Sequence, residues 1–189
     1  MNNNDSFSKK GVTYHKETKE IQSCLFCRIH QREESGVIIF EDEEFVVFQP
    51  RSPVTRFHYL VTPRNHIKDL SSITFSKQIL QGVTFLYRLK QAAMKAILTH
   101  SNNNEHITLT AKYCFHNPPF NSIDHLHLHV IGEPDQMSWR DWFRFPNSFE
   151  TFYCIDIDSI IQSLCPSFYE HLRVKGILYH PTYSLQEED

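Results

Sequence analysis

The sequence contains no run of eighteen or more apolar residues, so it offers no candidate for a membrane-spanning helix. Its first twenty residues also lack the apolar segment of a secretory signal. Only 5 of 189 residues are glycine, which disfavours a glycine-rich phosphate loop. The formal net charge of −3 gives no basic field that would attract nucleic acid. We therefore expect a soluble protein of the cytoplasm, or also of the nucleus, without membrane contact and without nucleic acid as its main partner.

The five cysteines are an odd number, and without a secretory signal they are typical of thiols or metal ligands rather than of a disulfide framework. Cys24 and Cys27 form a C-x-x-C pair, which can bind zinc if two further ligands complete the tetrahedron. His66 and His125 are the candidates for those ligands. The alternatives are a redox pair, which the absence of a surrounding βαβ pattern disfavours, and two buried structural cysteines.

The composition divides the chain into three segments. Residues 1–20 are polar and without periodicity, so we predict a flexible leader there. Residues 21–132 carry regular strand and helix patterns and are the predicted domain. Residues 133–189 are aromatic and basic at first and acidic at the end, and we predict a C-terminal extension packed on that domain.

The patterns of the central segment predict an α+β fold. Apolar residues spaced by three and four from Phe75 to Thr99 predict one long amphipathic helix, and CLFCRIH predicts a short one. Period-two patterns bounded by turn residues predict a mostly antiparallel sheet of five strands. These strands are expected at residues 37–40, 45–48, 56–62, 106–112 and 123–131. In the extension, FETFYCIDI is strand-like and residues 158–164 are typical of a short helix.

His125, His127 and His129 alternate with apolar residues in HLHLHV. Side chains of a strand point alternately to its two faces, so the three imidazoles would share one face, about 6 to 7 Å apart. A neutral imidazole can act as a nucleophile while a protonated neighbour stabilises charge or protonates a leaving group. The pattern therefore favours a reactive face over an adventitious metal-binding strand or an exposed polar sheet face.

The loop before the last predicted strand adds hydrogen-bond donors. Asn121 and Ser122 offer amide and hydroxyl groups, and the Pro118-Pro119 turn would hold them in place. Donors preorganised around a phosphoryl group are what a transfer reaction requires. His116 could also reach a substrate phosphate. The alternative is an ordinary polar loop with a packed histidine.

These residues match a known family. HLHLHV resembles the signature of the histidine triad (HIT) superfamily, and CLFCRI, IIFEDEEFVVF and HYLVTPRNHI resemble its earlier segments in the same order, over residues 21–132. FHNPPFNSIDHLHLHV and the stretch after it are most similar to the histidine triad nucleotide-binding protein 3 branch. A more distant similarity is to the catalytic domain of aprataxin. The resemblance implies a HIT-like fold, a homodimer, and attack on the α-phosphate of purine nucleoside monophosphate derivatives.

Carried over by position, the resemblance implies a role for each site residue. His127 is the nucleophile that forms a nucleotidyl-histidine intermediate, His129 contacts phosphate oxygens and takes part in proton transfer, and His125 orients the site. Four residues line the nucleotide pocket. Leu25 and Phe26 lie at the base, and Asn121 and Ser122 lie at the phosphate. No cofactor takes part in catalysis, but a structural zinc is implied, with the ligands Cys24, Cys27, His66 and His125.

One position departs from the family. Members commonly carry an aspartate that binds the ribose hydroxyls, where this sequence has Pro50 in FQPR. Because proline has no side-chain acceptor, this position offers no side-chain contact to the ribose hydroxyls. The leading hypothesis is hydrolysis of nucleoside, most directly adenosine, 5′-monophosphoramidates. A non-catalytic nucleotide-binding protein is one alternative.

A second alternative is an aprataxin-like hydrolase that releases AMP from adenylated nucleic acid ends. The segment SWRDWFRF contains aromatic and arginine side chains that could stack on such an end and bind it. The same side chains could instead cover a sheet edge or a subunit interface, with the arginines in solvent. The residues in question are Trp139, Arg140, Trp142 and Arg144.

Overall fold

The computed structural model describes residues 5–74, 79–102, 105–146 and 154–176. Within these ranges no helix combines the length and apolar character needed to cross a bilayer. The described residues form nine strands, seven α-helices and one 3₁₀ helix, Pro134–Gln136. In chain order these are β1 Ser6–Lys9, β2 Val12–His15, β3 Ile21–Cys24, α1 Leu25–His30, β4 Ile38–Glu41, β5 Phe45–Phe48, β6 His58–Pro63, α2 Ser71–Thr74, α3 Ile79–His100, α4 Glu105–Thr110, β7 Lys112–His116, β8 Leu128–Ile131, α5 Trp139–Arg144, β9 Cys154–Asp156, α6 Ile157–Leu164 and α7 Pro166–Val174.

The described strands form two antiparallel sheets, which confirms the predicted α+β class. The main sheet has the order β4-β5-β6-β8-β7-β9, and the smaller sheet has the order β1-β2-β3. Six strands replace the predicted five because β9, from the C-terminal extension, pairs with the edge strand β7. The fold also has more short helices than the single one predicted for the domain, among them α2 and α4.

The predicted strand over 106–112 is wrong, because most of it is the helix α4. Its β-branched residues favour a strand only weakly, and tertiary contacts override that preference. Ile107 is buried in the main core, and the Thr110 hydroxyl donates to the His106 carbonyl one helical turn earlier, at 2.8 Å. The strand β7 therefore begins only at Lys112.

The last predicted strand, 123–131, is shortened to the four residues of β8. The backbone before it pairs with loops instead of with a strand. The Asp124 amide donates to the Lys10 carbonyl at 2.9 Å, and the Leu126 amide donates to the Ile67 carbonyl at 2.6 Å. The chain bends at residues 122–125, and the ladder begins only at Leu128.

Residues 5–20, within the predicted flexible leader, contain the strands β1 and β2. The turn between these strands has positive φ at Lys10 (47°) and Gly11 (67°), and a glycine adopts this conformation without strain. Val12 is completely buried and packs with Cys24 and Phe26 in a second core cluster. Contacts made far along the chain therefore order a segment whose composition is typical of disorder.

Other predicted elements are confirmed. The hairpin of β4 and β5, the strand β6 and the short helices α1 and α6 lie where the patterns place them, and the long helix is present as α3. Residues 75–78 of the predicted helix, residues 149–153 of the predicted strand and the acidic end of the chain lie outside the described residues.

The main sheet separates a large apolar core from the histidine-rich segment. Alternate residues of β5, β6 and β8, such as Val47, Val61 and Leu128, pack with α3 and α6 on one face. On the other face, Val46, Phe48 and Leu60 pack with α1 and the smaller sheet. Both faces of the central strands are thus covered.

The C-terminal extension contacts the core through one ion pair in particular. Lys90 of α3 is almost completely buried, and its Nζ donates to both carboxylate oxygens of Asp158 in α6 at 2.8 Å. We expect Asp158→Ala to lower the free energy of unfolding by about 2 kcal/mol or more, because the buried ammonium loses its carboxylate. Urea unfolding measures this change. The exposed Glu43→Ala is the matched control, and equal effects of the two substitutions would contradict the prediction.

Candidate active site

The three triad histidines lie buried side by side on the face of the main sheet opposite α3. Only His129 lies within β8, and His125 and His127 precede it. The exposed fractions of His125, His127 and His129 are 0%, 5% and 8%. The alternative of an exposed polar sheet face is therefore wrong. The alternation of side chains persists along the segment, because the intervening apolar residues enter the main core: Leu126, Leu128 and Val130.

The tautomer of His127 follows from one hydrogen bond. Its Nδ1 lies 2.7 Å from the carbonyl oxygen of His125, and because a carbonyl can only accept, Nδ1 carries the proton. Burial lowers the pKa of His127 to about 4. At neutral pH the ring is therefore uncharged, and Nε2 has a lone pair available for attack on an electrophile.

His129 is oriented by His58, a residue that the sequence analysis did not identify. The Val54 amide donates to Nδ1 of His58 at 3.1 Å, so Nε2 of His58 carries the proton and donates to Nδ1 of His129, also at 3.1 Å. The proton of neutral His129 is then on Nε2, a buried atom without a hydrogen-bond partner among the described residues. This geometry offers one donor to an oxygen of a bound group.

His116 lies beside this pair. Its Nε2 donates to the Arg144 carbonyl at 3.1 Å, its ring stacks on Phe145 at 4.8 Å, and its ring centre is 4.5 Å from that of His129. Burial lowers the pKa of His116 below its ordinary value. Its Nδ1 is thus an acceptor, and the histidine is both packed and next to the triad.

A cavity of about 790 Å³ adjoins the triad. Three of the predicted nucleotide-binding residues, Leu25, Phe26 and Ser122, line it. The Phe26 ring centre is 5.4 Å from that of His127, so this residue of the cavity wall contacts the triad. Pro50 also lines the cavity, which places the position without an acceptor inside the pocket.

Asn121 is not placed as a free phosphate donor. Its side-chain nitrogen donates to the Ile123 carbonyl and to the Asp124 carboxylate, each at 3.1 Å. Its oxygen accepts a hydrogen bond from the Lys10 ammonium. Asn121 and His116 line a small second cavity with His127, so Asn121 stands near the triad with its amide hydrogens already bonded.

The four predicted metal ligands come together. One donor atom from each of Cys24, Cys27, His66 and His125 lies within 4.8 Å of the others. Nδ1 of His125 is 3.4 Å from the Cys24 sulfur and 3.6 Å from the Cys27 sulfur, and Nδ1 of His66 is 3.6 Å from the Cys27 sulfur. Sulfur and nitrogen ligands of a tetrahedral zinc lie roughly 3.5 Å apart, given its usual bond lengths. The donor set and its spacing therefore fit zinc.

The protonation of this cluster also suits a metal. Nε2 of His125 donates to the Pro63 carbonyl at 3.0 Å, which leaves the Nδ1 lone pair directed at the sulfurs. A hydrogen bond from the Cys27 thiol lowers the pKa of Cys24 to about 2. One thiolate is thus held ready as a ligand.

The aromatic and arginine segment forms α5, next to the triad. Trp139 and Trp142 are 69% and 43% exposed, so they do not cover the edge of the sheet. The Arg140 guanidinium lies 5.2 Å from the centre of the Trp139 ring. The carbonyl of Arg144 accepts the hydrogen bond from His116, which ties the end of this helix to the site.

Comparison with known proteins decides the family. Residues 23–141, more than half of the chain, match the family described as scavenger mRNA decapping enzyme C-term binding. The chain belongs to this family of histidine triad proteins. Adenosine 5′-monophosphoramidase HINT3 of Xenopus tropicalis is 28% identical over 158 residues, which cover 83% of this chain and 97% of the relative.

Two further proteins are similar to this histidine triad protein. The bifunctional adenosine 5′-phosphosulfate phosphorylase/adenylylsulfatase HINT4 of Arabidopsis thaliana is 29% identical, over 63% of this chain and 76% of the relative. The crystal structure of SMU.412c from Streptococcus mutans UA159 has a TM-score of 0.50 at 16% identity and covers 84% of this chain and 90% of that one. The structural likeness shows the fold alone.

His58, the buried histidine that contacts the triad, makes stability depend on pH. Burial lowers the pKa of His58 from 6.5 to about 3, so the native protein keeps it neutral while the unfolded chain binds a proton below pH 6.5. The free energy of unfolding must therefore fall as the pH decreases from about 6.5 towards 3. We expect His58→Asn to reduce this slope by up to about 1.4 kcal/mol per pH unit.

Urea unfolding at pH 6.5, 5.5 and 4.5 measures this slope. The substitution His171→Asn, at an exposed histidine of α7, is the control and should leave the slope unchanged. Parallel pH profiles for wild type and His58→Asn would show that His58 is not held neutral in the folded protein.

Proposed function

We propose that this protein hydrolyses nucleoside 5′-monophosphoramidates, with adenosine as the expected nucleoside, through a nucleotidyl-histidine intermediate on His127. The observation that carries the proposal is the neutral imidazole of His127, whose Nδ1 proton is held by a carbonyl while Nε2 is available. Phe26 links this ring to a cavity of nucleoside size. The name of the Xenopus relative supports the choice of substrate.

The reaction exchanges one P–N bond for one P–O bond. Nε2 of His127 attacks the α-phosphorus, and the bond to the amine breaks as the amine nitrogen takes up a proton from solvent, which the water that attacks in the second step returns. The Nε2 hydrogen of His129 donates to a phosphoryl oxygen and stabilises the charge that develops there. Water then attacks the phosphorus, breaks the bond to His127 and releases the nucleoside monophosphate. One water molecule is consumed in each cycle.

A second candidate substrate is an adenylated nucleic acid end. The exposed rings of Trp139 and Trp142, with Arg140 stacked on the first, offer surfaces on which bases can stack. The hydrogen bond between His116 and Arg144 brings this helix close to the triad. The formal net charge of −3 disfavours this substrate, because it provides no general attraction for a polyanion.

Steady-state hydrolysis tests the proposal. We expect wild type to turn over an adenosine 5′-phosphoramidate and His127→Ala to lose about 10⁴-fold or more in kcat/KM, because the nucleophile is removed. His171→Ala, at an exposed histidine far along the chain, is the matched control and should retain activity.

Parallel assays on 5′-adenylated nicked DNA separate the alternatives. A higher kcat/KM for the DNA would favour end processing over the phosphoramidase reaction. If neither substrate is turned over while AMP still binds, the protein is a nucleotide-binding protein without this activity.

We also propose that Cys24, Cys27, His66 and His125 bind one structural zinc ion. The metal would link the segment around α1 to the residues after β6 and before β8, and it would supply no step of the hydrolysis. The donor spacing and the lowered pKa of Cys24 support this role. Homodimer formation and a cytoplasmic or nuclear location stay predictions from the sequence.

Elemental analysis and thermal unfolding test the zinc proposal. We expect one zinc per chain in wild type and in Cys165→Ser, whose cysteine lies outside the cluster, but not in Cys27→Ser, which lacks a thiolate ligand. A chelator should lower the Tm of wild type towards that of Cys27→Ser. Equal zinc content in all three proteins would refute this ligand set.

A further inference from the structure

The tip of the N-terminal hairpin touches two parts of the candidate site. The amide of Asp124, which precedes the triad, donates to the carbonyl of Lys10 at 2.9 Å. The amide of Leu25, the first residue of α1, donates to the carbonyl of Gly11 at 2.9 Å. One turn of two residues therefore joins the loop before the triad to the helix that lines the cavity.

The side chain of Lys10 reinforces this connection. Its ammonium donates to the Pro119 carbonyl at 2.8 Å and to the side-chain oxygen of Asn121. Asn121 is 7% exposed, and its nitrogen donates to the Ile123 carbonyl and to Asp124. Because the ammonium can only donate, the oxygen of the Asn121 amide must face Lys10. The amide nitrogen is thereby directed towards Ile123 and Asp124.

The same tip sets the distance between two walls of the cavity. A Cβ atom on Gly11 would lie 2.5 Å from Cδ1 of Ile123 and 3.6 Å from Cβ of Leu25. Ile123, Leu25 and Ser122 all line the cavity next to the triad. The close approach of Gly11 thus brings the loop and α1 to their observed separation.

Tyr14 adds a second contact from the hairpin. Its hydroxyl donates to the other carboxylate oxygen of Asp124 at 3.4 Å. Asp124 is 6% exposed and is bonded by the hairpin through both its backbone and its side chain. The hairpin therefore holds the residue next to His125 as well as the loop that carries Ser122.

We propose that Lys10 is a positioning residue for the nucleotide, acting through Asn121 on the cavity wall formed by Ser122 and Ile123. The inference rests on the proposed function and deepens it, because it assigns substrate affinity partly to a segment that precedes the family match at residue 23. His127 and His129 are held by other bonds, so the effect concerns binding more than the chemical step.

The test compares Lys10→Met and Lys10→Arg with Lys9→Met, an exposed neighbour on the same hairpin. For an adenosine 5′-phosphoramidate we expect Lys10→Met to raise KM about tenfold, with kcat within about threefold of wild type, because a charge-assisted hydrogen bond to the loop is lost. The Kd for AMP, measured by calorimetry, should rise by about the same factor. Lys10→Arg should recover most of the affinity, and Lys9→Met should resemble wild type.

Three results would overturn the positioning role. The first is an unchanged KM and Kd in Lys10→Met, and the second is a rise in KM and Kd in Lys9→Met equal to that in Lys10→Met. The third is a decrease in only kcat and Tm of Lys10→Met, as a merely structural role would produce. Failure of the proposed function gives a different pattern. If wild type binds AMP without turnover, the Kd values still test Lys10, and if wild type binds no AMP, both proposals are wrong.

Discussion

The site depends on the pairing of β8 with a strand on each side. Leu60 of β6 and Cys114 of β7 both lie opposite His129 in the antiparallel ladders. Because side chains alternate between the faces of a strand, the register that buries Leu128 and Val130 beneath α3 also directs His129 to the other face. A shift of one residue would exchange core and site, so the hydrophobic effect that stabilises the fold also orients the triad.

Burial then determines the chemical state of these histidines. Desolvation disfavours the imidazolium and is the largest cause of the lowered pKa of both His58 and His127. Backbone groups select the tautomers. The Val54 amide donates to Nδ1 of His58, which places the His58 proton on Nε2, and the His125 carbonyl accepts from Nδ1 of His127, which places the His127 proton on Nδ1. The main chain therefore decides which ring nitrogen of each histidine carries the proton.

Segments far apart in the chain complete the surroundings of the triad. The candidate metal ligands come from the end of β3, from α1, from the loop after β6 and from the segment before β8, and a bound ion would cross-link these segments. The N-terminal hairpin bonds to Leu25 and Asp124 beside the cavity, and β9 from the extension extends the sheet beside β7. Both terminal segments thus contribute to the fold around the site.

The sequence by itself determined the long helix, the β4–β5 hairpin, the C-x-x-C pair and the alternation of the triad histidines, because each has a local spacing of two, three or four residues. The family and the full set of metal ligands, with His66 and His125, were expected from the resemblance to known sequences and not from spacing. Only the tertiary structure decided that residues 105–110 are helical, that residues 5–20 contain strands, and that Asn121 is bonded to Lys10, 111 residues away in the chain. It also brought His58 to His129 across 71 residues. The physical reason is that a local pattern reports the periodicity of one element, whereas burial and hydrogen bonding between distant segments depend on which elements pack together.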